Sequence, residues 1–392
     1  MRRNHWLLAE DMPSLPVESR NLAGGVIHDF PYRLPGRKCP HAGLISLADA
    51  GGCAFCCPMC YARAYPWSVS DRIALHADAP QKLERELSRA RIVPPLHLSQ
   101  VIDCLQPAPE VRALTKAAVA VIMRHRVSFS ILTKSADGPR ELIRDMPDLA
   151  DYPFWRLALT IEAPPHKQSV TSPGASAIQE RLDTLAQMAS RGIAVGARTD
   201  PFIVGLVEPE EQLWLLDQIA QAGAKHVISA AGFFNRLSMN RLLEAIRGSR
   251  WSHLAERVAA AYGATPERLA RGDRGRPFRL TQAQLVALHR WLRAEAEARG
   301  MTYSVCLELP RAHDSPGLKH CEASSREHVH VRRDGRLEPL PCAGDCLRYC
   351  PDPDDPPCGE PRMLSEYPLR RSTMGIASPR RASGQPGLFR QG

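Results

Sequence analysis

No stretch of this chain approaches the roughly 18–20 uninterrupted apolar residues needed to cross a membrane. The N-terminus also lacks the apolar run of a secretory signal. Both absences point to a cytoplasmic protein with no membrane partner. Acidic residues are missing from Pro368 to Gly392, which holds five arginines. Those five leave +4 of the formal +9 for the rest of the chain, so charge alone is weak support for nucleic-acid binding. The six tryptophans and eight tyrosines are scattered and form no basic-aromatic run. Cysteine, by contrast, is plentiful at twelve residues. In a cytoplasmic setting that number favours metal ligands over disulfides.

Cys53, Cys57 and Cys60 are crowded into the run Gly51-Gly52-Cys53-Ala54-Phe55-Cys56-Cys57-Pro58-Met59-Cys60-Tyr61-Ala62-Arg63. Three thiolates spaced C-x3-C-x2-C can hold three irons of a 4Fe–4S cube and leave the fourth iron open for chemistry. Cys56 lies between them as a spare, small apolar residue. Zinc is the alternative, since C-x2-C pairs also occur in zinc knuckles. Structural zinc usually takes two ligand pairs separated by a loop, and these cysteines occupy eight residues.

From about residue 40 to 235, apolar runs alternate with amphipathic stretches. Strands are predicted near Leu44–Leu47 and at His97–Cys104, Val127–Thr133, Trp155–Glu162, Ile193–Arg198 and Lys225–Ala230. Helices are predicted at Val111–Arg124, Gly138–Ala150, Ser176–Arg191 and Glu208–Ala222, with Gly192 and Gly223 as stops. Repeated βα units imply a parallel sheet with right-handed crossovers, and a doubly wound sheet fits this pattern too. Residues 1–39 read as an N-terminal extension, 40–235 as the α/β domain and 236–300 as a helical extension. Residues 301–360 read as a cysteine-rich region, and 361–392 as a disordered basic tail.

The cysteine loop, with its aromatic after the last cysteine, is similar to the signature of radical SAM enzymes. Other stretches resemble the spore photoproduct lyase-like, or DNA repair photolyase-like, branch of that superfamily. They are Asp103-Cys104-Leu105-Gln106-Pro107-Ala108-Pro109-Glu110, Ile131-Leu132-Thr133-Lys134-Ser135 with Arg144-Asp145, Gln179-Glu180-Arg181-Leu182, and Thr199-Asp200-Pro201-Phe202-Ile203-Val204-Gly205-Leu206. The resemblance implies a partial (β/α)6 TIM-type barrel with its site at the C-terminal strand ends. It implies a 4Fe–4S cluster on Cys53, Cys57 and Cys60. It implies reductive cleavage of S-adenosylmethionine (SAM) to a 5′-deoxyadenosyl radical, and an electron donor such as flavodoxin or ferredoxin. Lys134 is expected to contact the SAM carboxylate, while Thr160, Glu162 and Arg198 are candidates for other SAM contacts. Tyr61 and Cys104 are candidate hydrogen-atom relays. Met59 replaces a tyrosine common in that branch, so its repair reaction does not carry over directly. Arg181 is expected on a helix surface, paired with Glu180 or Asp183.

A second set comprises Cys306, Cys321, Cys342, Cys346, Cys350 and Cys358. A hairpin is predicted over Val329–Cys342, around Asp334-Gly335. A similar pattern opens the auxiliary-cluster domains of some radical SAM enzymes. The expectation is an auxiliary 4Fe–4S cluster or a zinc site on Cys342, Cys346, Cys350 and Cys358. The substrate is open between nucleic acid and a peptide or small molecule. The non-enzyme alternative is a zinc-stabilised nucleic-acid-binding protein.

Overall fold

The computed structural model describes residues 15–28, 43–98, 101–270, 277–318, 320–323, 326–340, 350, 352, 354–359, 371–372 and 374–376. Its strands are β1 (Val17–Arg20), β2 (Ile27–His28), β3 (Gly43–Ile45), β4 (Ile73–His76), β5 (Ile92–Val93), β6 (Leu96–Leu98) and β7 (Phe129–Thr133). They continue with β8 (Trp155–Thr160), β9 (Ala194–Thr199), β10 (His226–Ser229), β11 (Thr302–Val305), β12 (His330–Arg333) and β13 (Arg336–Pro339). The helices are α1 (Ala79–Arg89), α2 (Pro109–Arg124), α3 (Asp137–Asp145), α4 (Gln168–Thr171), α5 (Ile178–Ser190), α6 (Pro209–Gln221), α7 (Arg236–Arg247), α8 (Ala255–Ala261), α9 (Pro266–Ala270) and α10 (Gln282–Ala298).

The main sheet has eight strands in the order β11-β10-β9-β8-β7-β6-β3-β2. From β3 to β11 all neighbours are parallel, and β2 closes one edge antiparallel. The order follows the chain without a reversal, so there is no topological switch point of the doubly wound kind. This is a mixed α/β fold with a sheet rich in parallel pairs. The last parallel strand, Thr302–Val305, comes from the segment that composition assigns to the cysteine-rich region. It is brief, and its partner strand lies 76 residues earlier, so local patterning cannot locate it.

The helices form where an apolar stripe recurs at helical spacing. α2 starts with Pro109 in its first turn and buries Val111, Thr115, Ala118, Val119 and Ile122. α5 buries Ile178, Leu182, Leu185 and Met188 on one face. Gly192 and Gly223 stand just past α5 and α6 at φ +75° and +88°, the left-handed geometry that ends a helix at little cost.

β6 is shorter than predicted and ends at Leu98. Beyond it, the Asp103 carboxylate accepts the backbone N–H groups of Leu105 and Lys134 at 2.9 and 2.8 Å, which gives this turn an alternative to sheet pairing. The predicted hairpin forms as β12–β13 with Asp334-Gly335 at its tip, and it joins β5. Part of the predicted tail is docked. Arg371 is buried and pairs with Glu86 of α1, and Met374 O accepts the backbone N–H of Arg91 at 2.8 Å. Cys39, Cys342 and Cys346 lie outside the described residues. Among the described residues no helix is long and apolar enough to cross a membrane.

Candidate active site

The cysteine loop runs between β3 and β4, and the chain leaves each parallel strand toward the same end. A cavity of about 320 Å³ opens there, and Cys53, Cys57, Cys60, Tyr61, Lys134, Thr160, Arg198, Asp200 and Cys306 are among its lining residues. The three cysteines therefore line the same cavity as residues at the C-terminal ends of β7, β8, β9 and β11. Cys56 is absent from that lining. It is buried at φ +47°, with its thiol directed to the Cys53 carbonyl at 3.5 Å.

The loop is held by the motif that follows β6. Fully buried Gln106 accepts the Ala54 N–H at 2.7 Å and donates to the Gly52 carbonyl at 3.3 Å. Gly174 approaches from the other side, with its N–H on the Phe55 carbonyl at 3.2 Å. A Cβ on Gly174 would lie 2.5 Å from the Ala54 carbonyl, so only glycine leaves the loop in place. Replacing Gln106 by alanine would leave two loop backbone groups without their buried partner. We expect that variant to lose about 1–3 kcal/mol of stability and to bind less iron. Denaturant titration and iron analysis check both.

Glu162 organises the adjoining wall. It is fully buried and does not line the cavity. Its carboxylate lies 3.0 Å from Lys134 Nζ and 2.9 Å from Arg181 Nη1, and it accepts from Thr171 at 3.2 Å and from Ser172. Burial pushes its pKa up. The Lys134 and Arg181 charges and the hydroxyl bonds outweigh that and hold it at about 2. The Lys134 contact is close but poorly aligned, so the ammonium is left without a well-directed acceptor at the cavity wall.

Arg181 corrects the surface expectation. It is fully buried and pairs with Glu162, with further bonds to the Thr160 and Ser176 carbonyls at 2.8 Å each. The signal was present in the sequence, because Arg181 falls in phase with Ile178, Leu182 and Leu185 on the stripe that faces the sheet.

Side chains alternate along β8. Arg156, Ala158 and Thr160 face the cavity, while Leu157 and Leu159 face the core. Arg198 on β9 spans Asp200 Oδ2 at 3.0 Å and Glu322 Oε1 at 2.7 Å, and Glu322 also pairs with Arg156. Glu308 lines the cavity, accepts the N–H groups of Ala231 and Gly232 at 2.7 and 2.8 Å, and meets His289 at 2.9 Å. Arg156, Glu308 and Glu322 gave no local sequence signal, since their partners are distant in the chain.

Cys104 does not reach the cavity. Its side chain is packed in the hydrophobic core with no exposed surface, and its carbonyl accepts the Thr115 hydroxyl at 2.8 Å. Among the described residues, the cavity-lining thiol outside the cysteine loop is that of Cys306, whose Sγ lies 3.7 Å from Arg198 Nη1. Tyr61 is on the wall, partly exposed, and edge-on to Tyr65 at 5.8 Å. Tyr65 in turn stacks on Trp67 at 4.9 Å.

Cys321 is buried, and its carbonyl accepts the Ser304 hydroxyl at 2.5 Å and faces His226 Nε2 at 2.8 Å. Cys350 and Cys358 are half-buried. Among the described residues, no three His, Cys, Asp or Glu side chains converge on the position of a single metal ion.

No family model matches the sequence. A curated relative, a radical SAM Nalpha-GlyT isomerase from Pseudomonas phage M6, is 21% identical over 367 residues, spanning 84% of this chain and 70% of its own. A spore photoproduct lyase mutant solved with dinucleoside spore photoproduct superposes with a TM-score of 0.51 at 14% identity, over 74% of this chain and 81% of that one. A second mutant of that lyase, solved with bound AdoMet and dinucleoside spore photoproduct, gives 0.50 at 14%, over 76% and 88%. These structures share the fold. In sequence the chain is similar to a radical SAM enzyme, the phage isomerase, and in fold it is similar to spore photoproduct lyase.

Proposed function

We propose that Cys53, Cys57 and Cys60 hold a 4Fe–4S cluster and that the cavity beside them binds SAM and a nucleoside-bearing substrate. The observation that carries this reading is that these three thiols, but not Cys56, line one cavity with Lys134, Thr160 and Arg198. The frame is a partial barrel, with its site at the C-terminal strand ends.

The donor set suits the group. Burial raises the Cys53 thiol well above its ordinary range, and it pushes Cys57 up to about 12 even though Lys134 opposes the shift. Such thiols stay neutral until metal takes the place of the proton. A single zinc ion needs its sulfurs about 2.3 Å away on one centre. A cube spreads three ligands over separate irons, which matches three thiols that line a wall without converging.

When bound, cluster and SAM supply reductive cleavage to a 5′-deoxyadenosyl radical, drawing an electron from a donor such as flavodoxin or ferredoxin. The chain's own residues bind, orient and exclude water. Lys134 offers a point charge for the SAM carboxylate, held in place by Glu162, which Arg181 anchors in turn. Thr160 and Arg198 add a hydroxyl and a guanidinium to the cavity lining. The apolar share of the cavity, from Phe55, Met59, Leu98, Ile131 and Phe234, keeps water from the reacting centre.

The nucleoside reading is supported by the dinucleoside bound to the structural neighbours. It is also supported by Tyr61 and exposed Phe233 on the cavity wall, with Tyr65 and Trp67 continuing an aromatic row away from Tyr61, since aromatic faces stack on bases. Cys306 takes the place of Cys104 as the thiol available to the cavity. We further propose that Cys342, Cys346, Cys350 and Cys358 hold an auxiliary 4Fe–4S cluster or zinc.

Anaerobically reconstituted protein given a strong reductant should release 5′-deoxyadenosine and methionine from SAM. DNA or a dinucleotide should accelerate that release, and peptides should not. Iron near eight atoms per chain would support two cubes, and about four would leave the auxiliary site to zinc or to none. Colourless protein that holds only zinc and leaves SAM intact would overturn the reading.

A further inference from the structure

Arg63 lies three residues beyond Cys60, in the short turn Ala62–Ala64 that follows the cysteine loop. Its guanidinium makes one long contact, from Nη2 to the Ser70 carbonyl at 3.5 Å. Nε and Nη1 are buried and have no partner among the described residues. Arg241 of α7 meets it, donating Nη1 to the Arg63 carbonyl at 3.0 Å. Asn235, which caps α7 by accepting the Ser238 N–H, donates to the neighbouring Ala64 carbonyl at 3.3 Å. Among the described residues neither of these half-buried arginines forms an ion pair with a carboxylate, although Arg112, Arg156, Arg181, Arg198 and Arg371 all do.

Burying a cation without a counter-charge is costly, and two adjacent ones repel. Burial and Arg63 both weaken the hold of Arg241 on its proton. Cys60 and Glu244 act the other way, which puts the Cys60 sulfur within the field of Arg241, while Arg63 follows it by three residues in the chain. A neutral thiol does little to offset two guanidinium charges. A thiolate bound to an iron cluster carries negative charge, and an added electron makes it more negative still. Nearby positive charge stabilises the more negative state, and charge and hydrogen bonding around a cluster are the means by which a protein sets its potential.

We propose that Arg63 and Arg241 are tuning residues that favour the reduced state of the cluster on Cys53, Cys57 and Cys60. This rests on the reading that the loop holds a cluster. The step is one-electron reduction by an external low-potential donor. The donor loses one electron, the cluster gains it, and no bond forms or breaks. Neither arginine lines the cavity, so both act through the field and not by touching substrate.

The test is a redox titration of the iron-loaded full chain, followed by electron paramagnetic resonance, with Arg63→Gln, Arg241→Gln and the two lysine variants. Each glutamine variant should keep its iron. At a fixed solution potential each should show about a tenfold lower ratio of reduced to oxidised cluster, a fall of about 59 mV for a one-electron couple. The lysine variants, which keep the charge, should titrate close to wild type. If Arg63→Gln fails to load iron, half-buried Arg241→Gln decides the matter alone. Loaded glutamine variants that titrate like wild type would overturn this inference and leave the cluster reading intact. A wild type without any cluster signal would overturn both.

Discussion

Alanine in place of Cys53, Cys57 or Cys60 is expected to abolish iron binding at the loop and SAM cleavage together. Two protein ligands do not hold a cube, and each of these thiols has its own place on the cavity wall. Cys56→Ala should retain both properties, because Cys56 turns its thiol away to the Cys53 carbonyl. Iron analysis, visible absorption and 5′-deoxyadenosine release read the series directly. A Cys56→Ala chain that loses iron while Cys53→Ala keeps it would reverse the ligand assignment.

Glu162→Gln is expected to be the most damaging single change outside the cysteine loop. It would leave fully buried Arg181 and mostly buried Lys134 without their shared counter-charge. Breaking a buried pair in this way costs about 3–5 kcal/mol. SAM affinity should fall as well, since Lys134 would lose the partner that aims it. An apolar partner swap, Glu162→Gln with Arg181→Met, should recover part of the stability, because it also removes the stranded cation. It should not recover SAM affinity. The pH dependence follows from the depressed pKa of Glu162. Its stabilisation is fully present above the ordinary glutamate range of about 4.3. It is lost as pH falls from there through about 2. The stability gap between wild type and Glu162→Gln should therefore be flat from pH 5 to 8, roughly, and should narrow only in stronger acid. A gap that closes near neutrality would mean that Glu162 is not held as a buried anion.

The three loop cysteines that line the cavity were legible as a set because they stand at short, local spacing, and local spacing is what a sequence displays directly. The βα alternation was legible for the same kind of reason. Period-2 and period-3.6 apolar patterns, with Gly192 and Gly223 as stops, mark strands and helices wherever burial is on one face. The place of Lys134, Thr160 and Arg198 on the cavity wall was legible because strand ends collect at one side of a parallel sheet. The partners were not legible. Glu162 seemed to be a cavity residue, but it turns beneath Lys134, because a carboxylate beside two buried cations is more stable between them than at the wall. Cys104 seemed to end a strand, but Asp103 bends the backbone there and Cys104 packs into the core.

By itself, then, the sequence determined which cysteines stand together in the loop, the parallel α/β frame and the end of the sheet where the cavity opens. Tertiary structure alone decided that Thr302–Val305 joins that sheet and delivers Cys306, that Glu322 pairs with Arg156 and Arg198, and that Arg241 donates to the Arg63 carbonyl in the turn that follows the cysteine loop. Each of these joins residues from 76 to 178 positions apart. Their pairing follows from burial and charge neutralisation across the folded chain, which leave no periodic trace along it.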